Sequence, residues 1–194
     1  ILQPFSDAIK LFNKNISLTE MTNILLSSTS PAMAMLISIL MLSIISFNMY
    51  PMFDNQQSLL TFFILSSMSV YFILMIGWTS NSKYSYMGAI RSVAQMISYE
   101  VSFFMIIIYI SIMAHSYSFT KISTTQFMLP LMYGNILLLM MWIISCLAET
   151  NRSPFDFAEG ESELVSGFNV EYMGGWFALI FLAEYMAMII LSLI

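Results

Sequence analysis

Charged residues are scarce in this chain of 194 residues: they make up 9% of it, whereas an ordinary soluble domain has about 25%. Hydrophobic residues make up 59%, and the mean hydropathy is +0.82. This composition excludes a water-soluble fold. The six basic residues form no patch, so we expect no nucleic-acid partner.

Cysteine and histidine each occur once, as Cys146 and His115. A single residue of each type cannot build a metal cluster or an internal disulfide, so we expect no metal site in this chain. Any redox centre must then belong to a partner or to a diffusible cofactor. Cys146 lies among Ile and Leu and is interpreted as a small apolar filler.

The chain begins at Ile1 and ends at Ile194 inside an apolar run, so we expect it to be an internal piece of a longer protein. Methionine is unusually frequent, with 19 residues against seven glycines. One explanation is a genetic code that reads an Ile-type codon as Met, as in many animal mitochondria. A mitochondrial origin is therefore a hypothesis that the coding DNA would test.

Long apolar runs dominate the chain, and a helix needs only ~20 such residues to cross a bilayer. The predicted fold is an all-α polytopic membrane helix bundle in a single membrane domain. We predict five transmembrane helices, over residues 25–47, 59–78, 89–114, 127–147 and 171–194. Residues 1–15 form a predicted amphipathic helix, too short and too charged to span, that lies in the membrane surface. The alternative for that segment is a simple connecting helix.

Acidic residues cluster late in the chain: seven of the eleven fall between residues 149 and 184. Most of them lie in a predicted acidic loop over residues 149–170. All basic residues except Lys121 fall on the same side of the five predicted spans as this loop. By the positive-inside rule, that side faces the matrix or cytoplasm. Solvated acids are the alternative, although Glu159 and Glu163 at i, i+4 can share a proton.

Two glutamates lie within predicted spans, Glu100 and Glu184. A charge at the centre of a membrane helix costs about 2.5 to 3.5 kcal/mol on insertion scales, so such residues usually face a bundle interior or a wet cavity. A proton path is one explanation, and a protonated or ion-paired Glu that only positions helices is the other. Together with Glu171 at the start of the fifth span, Glu184 would extend a polar path from the loop into the membrane. Gly174 and Gly175 lie between them and would permit a kink or local unwinding; the alternative for these two glycines is close helix packing.

Residues 148–172, AETNRSPFDFAEGESELVSGFNVEY, resemble the signature of the subunit 1 family of proton-pumping NADH:ubiquinone oxidoreductase, respiratory complex I. Three further stretches resemble the same family in the same order, so the resemblance spans the whole chain. They are LQPFSDAIKLF at 2–12, the segment from GW at 77–78 to IRSVAQMISYE at 90–100, and FAL to AEY at 177–185.

The resemblance implies a membrane subunit of the mitochondrial inner membrane, with the acidic loop on the matrix side and no complete active site of its own. Its substrate would be ubiquinone, while NADH, FMN and iron–sulfur clusters would sit on partner subunits of complex I. The residues implied for the quinone chamber are Asp7, Arg91, Glu159, Glu161, Glu163 and Phe168. Those implied for the proton path are Glu100, Glu149, Glu171 and Glu184.

Two other functions stay open at this point. Membrane-bound hydrogenase-like assemblies have a related subunit, so a quinone-independent ion or proton transporter subunit is the alternative, and a passive anchor for a soluble enzyme is a third. The chain also departs from the family, because Trp176 stands where family members often have Pro. The sequence therefore does not decide whether the fifth span has the local kink that Pro would produce.

Overall fold

A computed structural model of the chain describes residues 3–15, 22–45, 55–127, 130–158 and 160–194. Throughout these residues the regular structure is helical, and no strand occurs, which confirms the all-α class. The helices are α1 (Gln3–Asn13), α2 (Ile24–Ile44), α3 (Ser58–Thr79), α4 (Lys83–Ala114), α5 (Phe119–Gln126), α6 (Leu131–Gly134), α7 (Ile136–Glu149), α8 (Glu161–Leu164) and α9 (Gly175–Leu193). A 3₁₀ turn at Gly167–Asn169 lies between α8 and α9.

Within the described residues four helices, α2, α3, α4 and α9, are long and apolar enough to cross a membrane, as a polytopic bundle requires. Helix α2 packs between α3 and α9, and α4 packs between α3 and α7. Helix α1 contacts α9, and the 3₁₀ turn contacts α4 and α3. The surface helix and the acidic segment are therefore both attached at the end of the bundle where α3 ends and α4 and α9 begin.

The fourth predicted span, 127–147, is interrupted in the structure. Pro130 has no N–H to continue a helix, and Asn135 has φ −138° and ψ 74°, which separates α6 from α7. The 14 residues of α7 extend for about 21 Å, less than the ~30 Å hydrocarbon core. Whether α6 and α7 together cross the bilayer stays a prediction.

Two helix starts also differ from the predicted ones. Helix α4 begins at Lys83 rather than 89, because the Ser82 side chain caps it by accepting a hydrogen bond from the Ser85 N–H at 3.3 Å. Helix α9 begins at Gly175 rather than 171, because Gly174 has φ +64° and ψ −132°, outside the helical region. Glu171 consequently lies in the turn before α9 and does not share a continuous helix with Glu184.

In the part of the chain that the structure describes, buried apolar side chains form two clusters. The aromatic core lies away from the acidic segment and contains Ile37, Met41, Ile45, Leu59, Phe62, Phe63, Phe103, Ile107 and Ile190. The loop-side core lies beneath the acidic segment and contains Ile76, Ala89, Ala158, Phe168, Tyr172 and Ile180. The second cluster joins residues of the loop to α3, α4 and α9, so it fixes the loop on the bundle.

Candidate functional site at the loop end of the bundle

The acidic segment is seated on α4 by small residues. The Ser85 hydroxyl, fully buried, donates a hydrogen bond to the Phe168 carbonyl at 2.9 Å. A Cβ added at Gly88 would lie 2.8 Å from the Phe168 amide nitrogen and 3.1 Å from the Ala158 carbonyl oxygen. Only glycine at this position lets the loop backbone approach the helix so closely.

Tyr172 ties the same loop to α3. Its hydroxyl lies 3.0 Å from the Thr79 hydroxyl and donates to the Ile76 carbonyl at 3.3 Å. Burial raises the pKa of the Tyr172 phenol above its ordinary value, so this side chain stays neutral. The Thr79 carbonyl in turn accepts a hydrogen bond from the Asn23 N–H at 3.3 Å, which joins the start of α2 to this network.

The end of α7 is held by α4 through polar contacts. The Gln95 Nε2 group donates to the Ala148 carbonyl at 2.7 Å and to Asn151 Oδ1 at 3.3 Å. One turn further along α4, the Tyr99 ring meets the Phe155 ring edge to face at 5.4 Å between centroids. The acidic residue Glu149, between these contacts in sequence, is therefore held against α4.

Two of the residues predicted for the quinone chamber form an ion pair. The guanidinium of Arg91 on α4 donates to the carboxylate of Glu163 on α8, and both side chains are exposed. Glu161 lies in the same short helix, and Glu159 falls outside the described residues. Arg91 and Glu163 come from positions far apart in sequence, so the loop brings one acid directly to the basic residue.

The other two residues predicted for the chamber lie apart from this pair. Asp7 is exposed on α1. Phe168 is 1% exposed within the loop-side core, so it packs the loop and presents no surface outside the bundle. Its ring does line an interior cavity, described next.

Two cavities meet at the predicted proton path. The interior cavity has a volume of about 90 Å³ and lies among α2, α3 and α9, with Glu149 on its wall. The outer cavity has a volume of about 240 Å³ and is lined by Arg152 and Asp156. Thr150, Asn151 and Glu184 line both cavities. Glu184 therefore lies between a polar space beside the loop and an apolar space inside the bundle.

The remaining predicted path residues differ in position. Glu100 on α4 is half-buried and lies within electrostatic range of Glu149. Glu171 is half-buried in the turn before α9 and lines neither of the two cavities. The interior cavity thus joins Glu149 and Glu184, Glu100 lies near Glu149 without lining either cavity, and Glu171 lies beside the 3₁₀ turn.

A third cavity lies under the surface helix. It has a volume of about 580 Å³ and lies between residues 12–15 and the start of α9 at Gly175, Trp176 and Leu179. Gly174 lies against the same segment: an added Cβ would be in ordinary contact, 3.4 Å from the Lys14 and Asn15 carbonyl oxygens, and the φ of +64° is what favours glycine there. Trp176 occupies the first turn of α9 and packs against the loop-side core, and α9 continues helical from there to Leu193.

Sequence reasoning missed Gln95, Ser85 and Gly88 as site residues. Gln95 had a usable signal, because an amide inside a predicted span must find a hydrogen-bond partner. Ser85 and Gly88 had only a local signal, two small residues at a helix start. Their partners lie 83 and 80 positions away, at Phe168, so no local pattern identifies them.

Comparison with known proteins agrees with the resemblance found in the sequence. The family model described as NADH dehydrogenase matches residues 1–194. NADH-ubiquinone oxidoreductase chain 1 of Balaenoptera physalus is 46% identical over 194 residues, covering 100% of this chain and 61% of the relative. The proteins of the same name from Emballonura alecto and Anopheles gambiae are 49% and 43% identical over 100% of this chain, covering 61% and 62% of their own lengths.

The chain thus spans about three fifths of the length of the curated relatives it matches. Because the family model covers the whole chain and the segments that form the site are those that carry the resemblance, the chain belongs to the NADH dehydrogenase family.

Proposed function

We propose that the chain is part of a complex I membrane subunit that borders the ubiquinone chamber and begins a glutamate-lined path coupling quinone reduction to proton translocation. The names of its relatives, NADH-ubiquinone oxidoreductase chain 1, support the complex and the substrate class. Electrons would come from NADH through FMN and iron–sulfur clusters on partner subunits, since quinone reduction needs two electrons and two protons. This chain supplies groups that can exchange protons.

The observation that carries the proposal is the position of Glu184. This residue lines both the outer cavity, with Arg152 and Asp156, and the interior cavity, with Glu149. Keeping an acid within a membrane helix costs about 2.5 to 3.5 kcal/mol on insertion scales. An acid placed where two cavities meet has a role that offsets this cost, because it can pass a proton between the two spaces.

The chamber side of the proposal rests on the loop end of the bundle. The Arg91–Glu163 pair fixes the exposed part of the loop, and the third cavity opens beneath the surface helix. A quinone has an apolar tail and a polar head group. Phe12, Trp176 and Leu179 provide an apolar wall in this cavity, beside the polar residues 13–15 at the end of α1. Phe168 contributes by packing the loop rather than by touching the quinone.

The proposed location is the mitochondrial inner membrane, with the loop end in the matrix. Lys10, Lys14, Lys83, Arg91 and Arg152 all belong to segments at that end, as the positive-inside rule requires. Other complex I subunits would cover the loop, and lipid would surround the apolar outer faces of the long helices. Glu171, beside the 3₁₀ turn, would connect the chamber to the path.

The test is Glu184→Gln in the full-length chain within its assembled complex. We expect normal assembly and continued reduction of ubiquinone, with the number of protons translocated per quinone reduced falling at least two-fold. Proton pumping is measured in reconstituted vesicles alongside quinone reduction. Ser192→Ala, which removes an exposed hydroxyl from the same helix, is the matched control and should change neither quantity.

Two outcomes would contradict the proposal. Full pumping in the Glu184→Gln complex would remove this residue from the path. A wild-type complex that translocates protons without reducing ubiquinone would replace the quinone-linked function with the quinone-independent transporter.

A further inference from the structure

Two buried oxygen atoms lie without a hydrogen-bond partner where α4 meets the end of α7. They are Oε1 of Gln95, a residue that is 7% exposed, and Oε2 of Glu149. Among the residues that the structure describes, neither atom has a donor within hydrogen-bond distance. Leaving a buried polar atom unpaired costs about 1 to 3 kcal/mol, so two such atoms at one place require an explanation.

The orientation of the Gln95 amide is fixed by its partners. Its nitrogen faces the Ala148 carbonyl at 2.7 Å and Asn151 Oδ1 at 3.3 Å, and a carbonyl oxygen can only accept. Asn151 uses its own nitrogen toward the Met96 sulfur at 3.8 Å, which leaves its oxygen facing Gln95. Exchanging nitrogen and oxygen in Gln95 would therefore break both bonds, so the unpaired atom of Gln95 is an acceptor.

The two unpaired atoms belong to residues at the same junction of α4 and α7. Gln95 bonds the carbonyl of Ala148, and Glu149 is the next residue in the chain. Both atoms are acceptors when Glu149 is ionised, so what would satisfy them together is a molecule with two O–H donors. Water has that chemistry, and buried waters typically make about three hydrogen bonds to such groups.

Space for the water is present on the Glu149 side. The interior cavity that Glu149 lines has a volume of about 90 Å³. A single water requires about 10 to 15 Å³ of such volume. Thr150 and Asn151 line the same cavity, so polar groups surround the site near Glu149 while the deeper wall is apolar.

We propose that Gln95 is a positioning residue for Glu149: its amide nitrogen fixes the end of α7, and its oxygen holds, together with the Glu149 carboxyl group, one ordered water molecule. The inference deepens the proposed proton path and rests on it. When Glu149 is ionised the water donates to both oxygens, and a proton that arrives through the water is taken up by the carboxylate without any movement of the helices.

The test compares Gln95→Leu with Gln95→Glu in the full-length chain within its assembled complex. Leucine has a similar size and no hydrogen-bonding group, whereas a protonated glutamic acid retains a donor for Ala148 and an acceptor for the water. We expect protons translocated per quinone reduced to fall at least two-fold in Gln95→Leu and to stay near the wild-type value in Gln95→Glu. The KM for ubiquinone should stay unchanged in both.

A purely structural tie between α4 and α7 gives a different result. It would lower the amount of assembled complex while leaving pumping per assembled complex intact, so all rates are expressed per assembled complex. Ser102→Ala on α4, which removes one bond within the helix, is the matched control. If Gln95→Leu does not assemble, Gln95→Asn replaces it, because its amide is one methylene too short to reach both sites and the same two-fold loss is expected.

A double variant separates this inference from the proposed function. If Gln95 acts through Glu149, Gln95→Leu should cause no further loss of pumping in a Glu149→Gln background. Full pumping in Glu149→Gln alone would contradict the path itself. Two outcomes would overturn only the role of Gln95. One is defective pumping in Glu149→Gln together with full pumping in Gln95→Leu. The other is an equal defect in Gln95→Leu and Gln95→Glu.

The water itself can be observed directly. A high-resolution structure of the assembled wild-type complex should show ordered density within hydrogen-bond distance of both Gln95 Oε1 and the Glu149 carboxyl group. A dry contact between the two side chains, or a partner-subunit donor bonded to either oxygen, would overturn the water site.

Discussion

The two ends of the helix bundle are packed in different ways. At the end away from the acidic segment, large rings interlock: Phe103 stacks on Trp142 with centroids 4.7 Å apart, and Phe63 meets Phe104 edge to face at 4.9 Å. At the loop end, the helices and loop approach through glycine and small side chains. A Cβ at Gly77 would lie 2.2 Å from the Ala89 Cβ.

This difference in packing indicates that the aromatic end mainly stabilises the bundle, whereas the loop end carries the candidate functional site. Aromatic packing needs no hydrogen bonds and positions α3, α4 and α7 relative to one another. Close backbone contact at the loop end instead brings the acidic segment onto α4, and the buried unpaired oxygens of Gln95 and Glu149 lie at this same end. We therefore expect changes at the two ends to affect different measurements.

The largest effect on stability is expected for Phe103→Ala in the aromatic core. Phe103 is 1% exposed and contacts the rings of Phe63 and Trp142, so its removal leaves a cavity at the centre of the cluster. Such substitutions cost about 3 to 5 kcal/mol in protein cores. The measurement is the thermal midpoint for loss of the subunit from the assembled complex.

The same variant distinguishes the two ends. Quinone reduction per remaining complex should be unchanged, because the aromatic core lies away from the Arg91–Glu163 pair. Met105→Ala, at an exposed position on the same helix, is the control and should lower the midpoint little. If the Phe103→Ala complex reduces less quinone at temperatures where it is still intact, the two ends of the bundle are coupled.

A smaller loss of stability but a larger loss of activity is expected for Gly88→Ala. The added methyl group would meet the backbone of Gly167 and Phe168, which cannot rotate away as a side chain can. Overpacking of this kind costs about 1 to 3 kcal/mol, and the loop must shift to relieve it. We expect reduced quinone reduction per assembled complex, measured with a short-chain ubiquinone.

Gly134→Ala is the matched control for this substitution. Among the described residues, no heavy atom lies within 4 Å of a Cβ built there. Alanine in helix α6 should therefore leave both stability and activity near the wild-type values. Full activity in Gly88→Ala would show that the close seating of the loop is not needed for the site.

Much of the fold was predictable because a bilayer imposes long apolar runs on any chain that crosses it. Helices α2 and α3 lie over runs that contain no charge at all, and an apolar run has no competing interpretation. Helix ends were less predictable. The polar residues Ser82 and Lys83 resemble a loop, although Ser82 caps α4. The break at Asn135 had a signal in Pro130 and the Gly134-Asn135 pair, but the apolar run around them favoured a continuous span.

The acids of the site could be found from sequence because their position in a membrane is costly. Their arrangement could not, since Glu184 and Thr150 share a cavity wall only after α9 folds back on the segment that follows α7. Gln95 shows the same limit. Its amide is visible as a polar residue in a span, but its partners at Ala148 and Asn151 depend on how α4 crosses α7.

The smallest effect is expected for Tyr172→Phe, which removes only the phenol that ties the loop to Thr79 and Ile76. Losing these hydrogen bonds should cost about 1 kcal/mol at neutral pH.

Because burial raises the pKa of Tyr172 in the folded protein, the unfolded chain releases this proton at a lower pH than the folded one. The folded state then binds more protons, so wild-type stability should fall as the pH rises above the ordinary tyrosine pKa of about 10. Tyr172→Phe should lose part of that alkaline decline, measured as the thermal midpoint between pH 8 and pH 12, whereas the exposed control Tyr84→Phe should keep it. An identical alkaline decline in wild type and Tyr172→Phe would mean that the phenol is not held in a buried, neutral state. The loop end of the bundle would then be more accessible to solvent than its packing indicates.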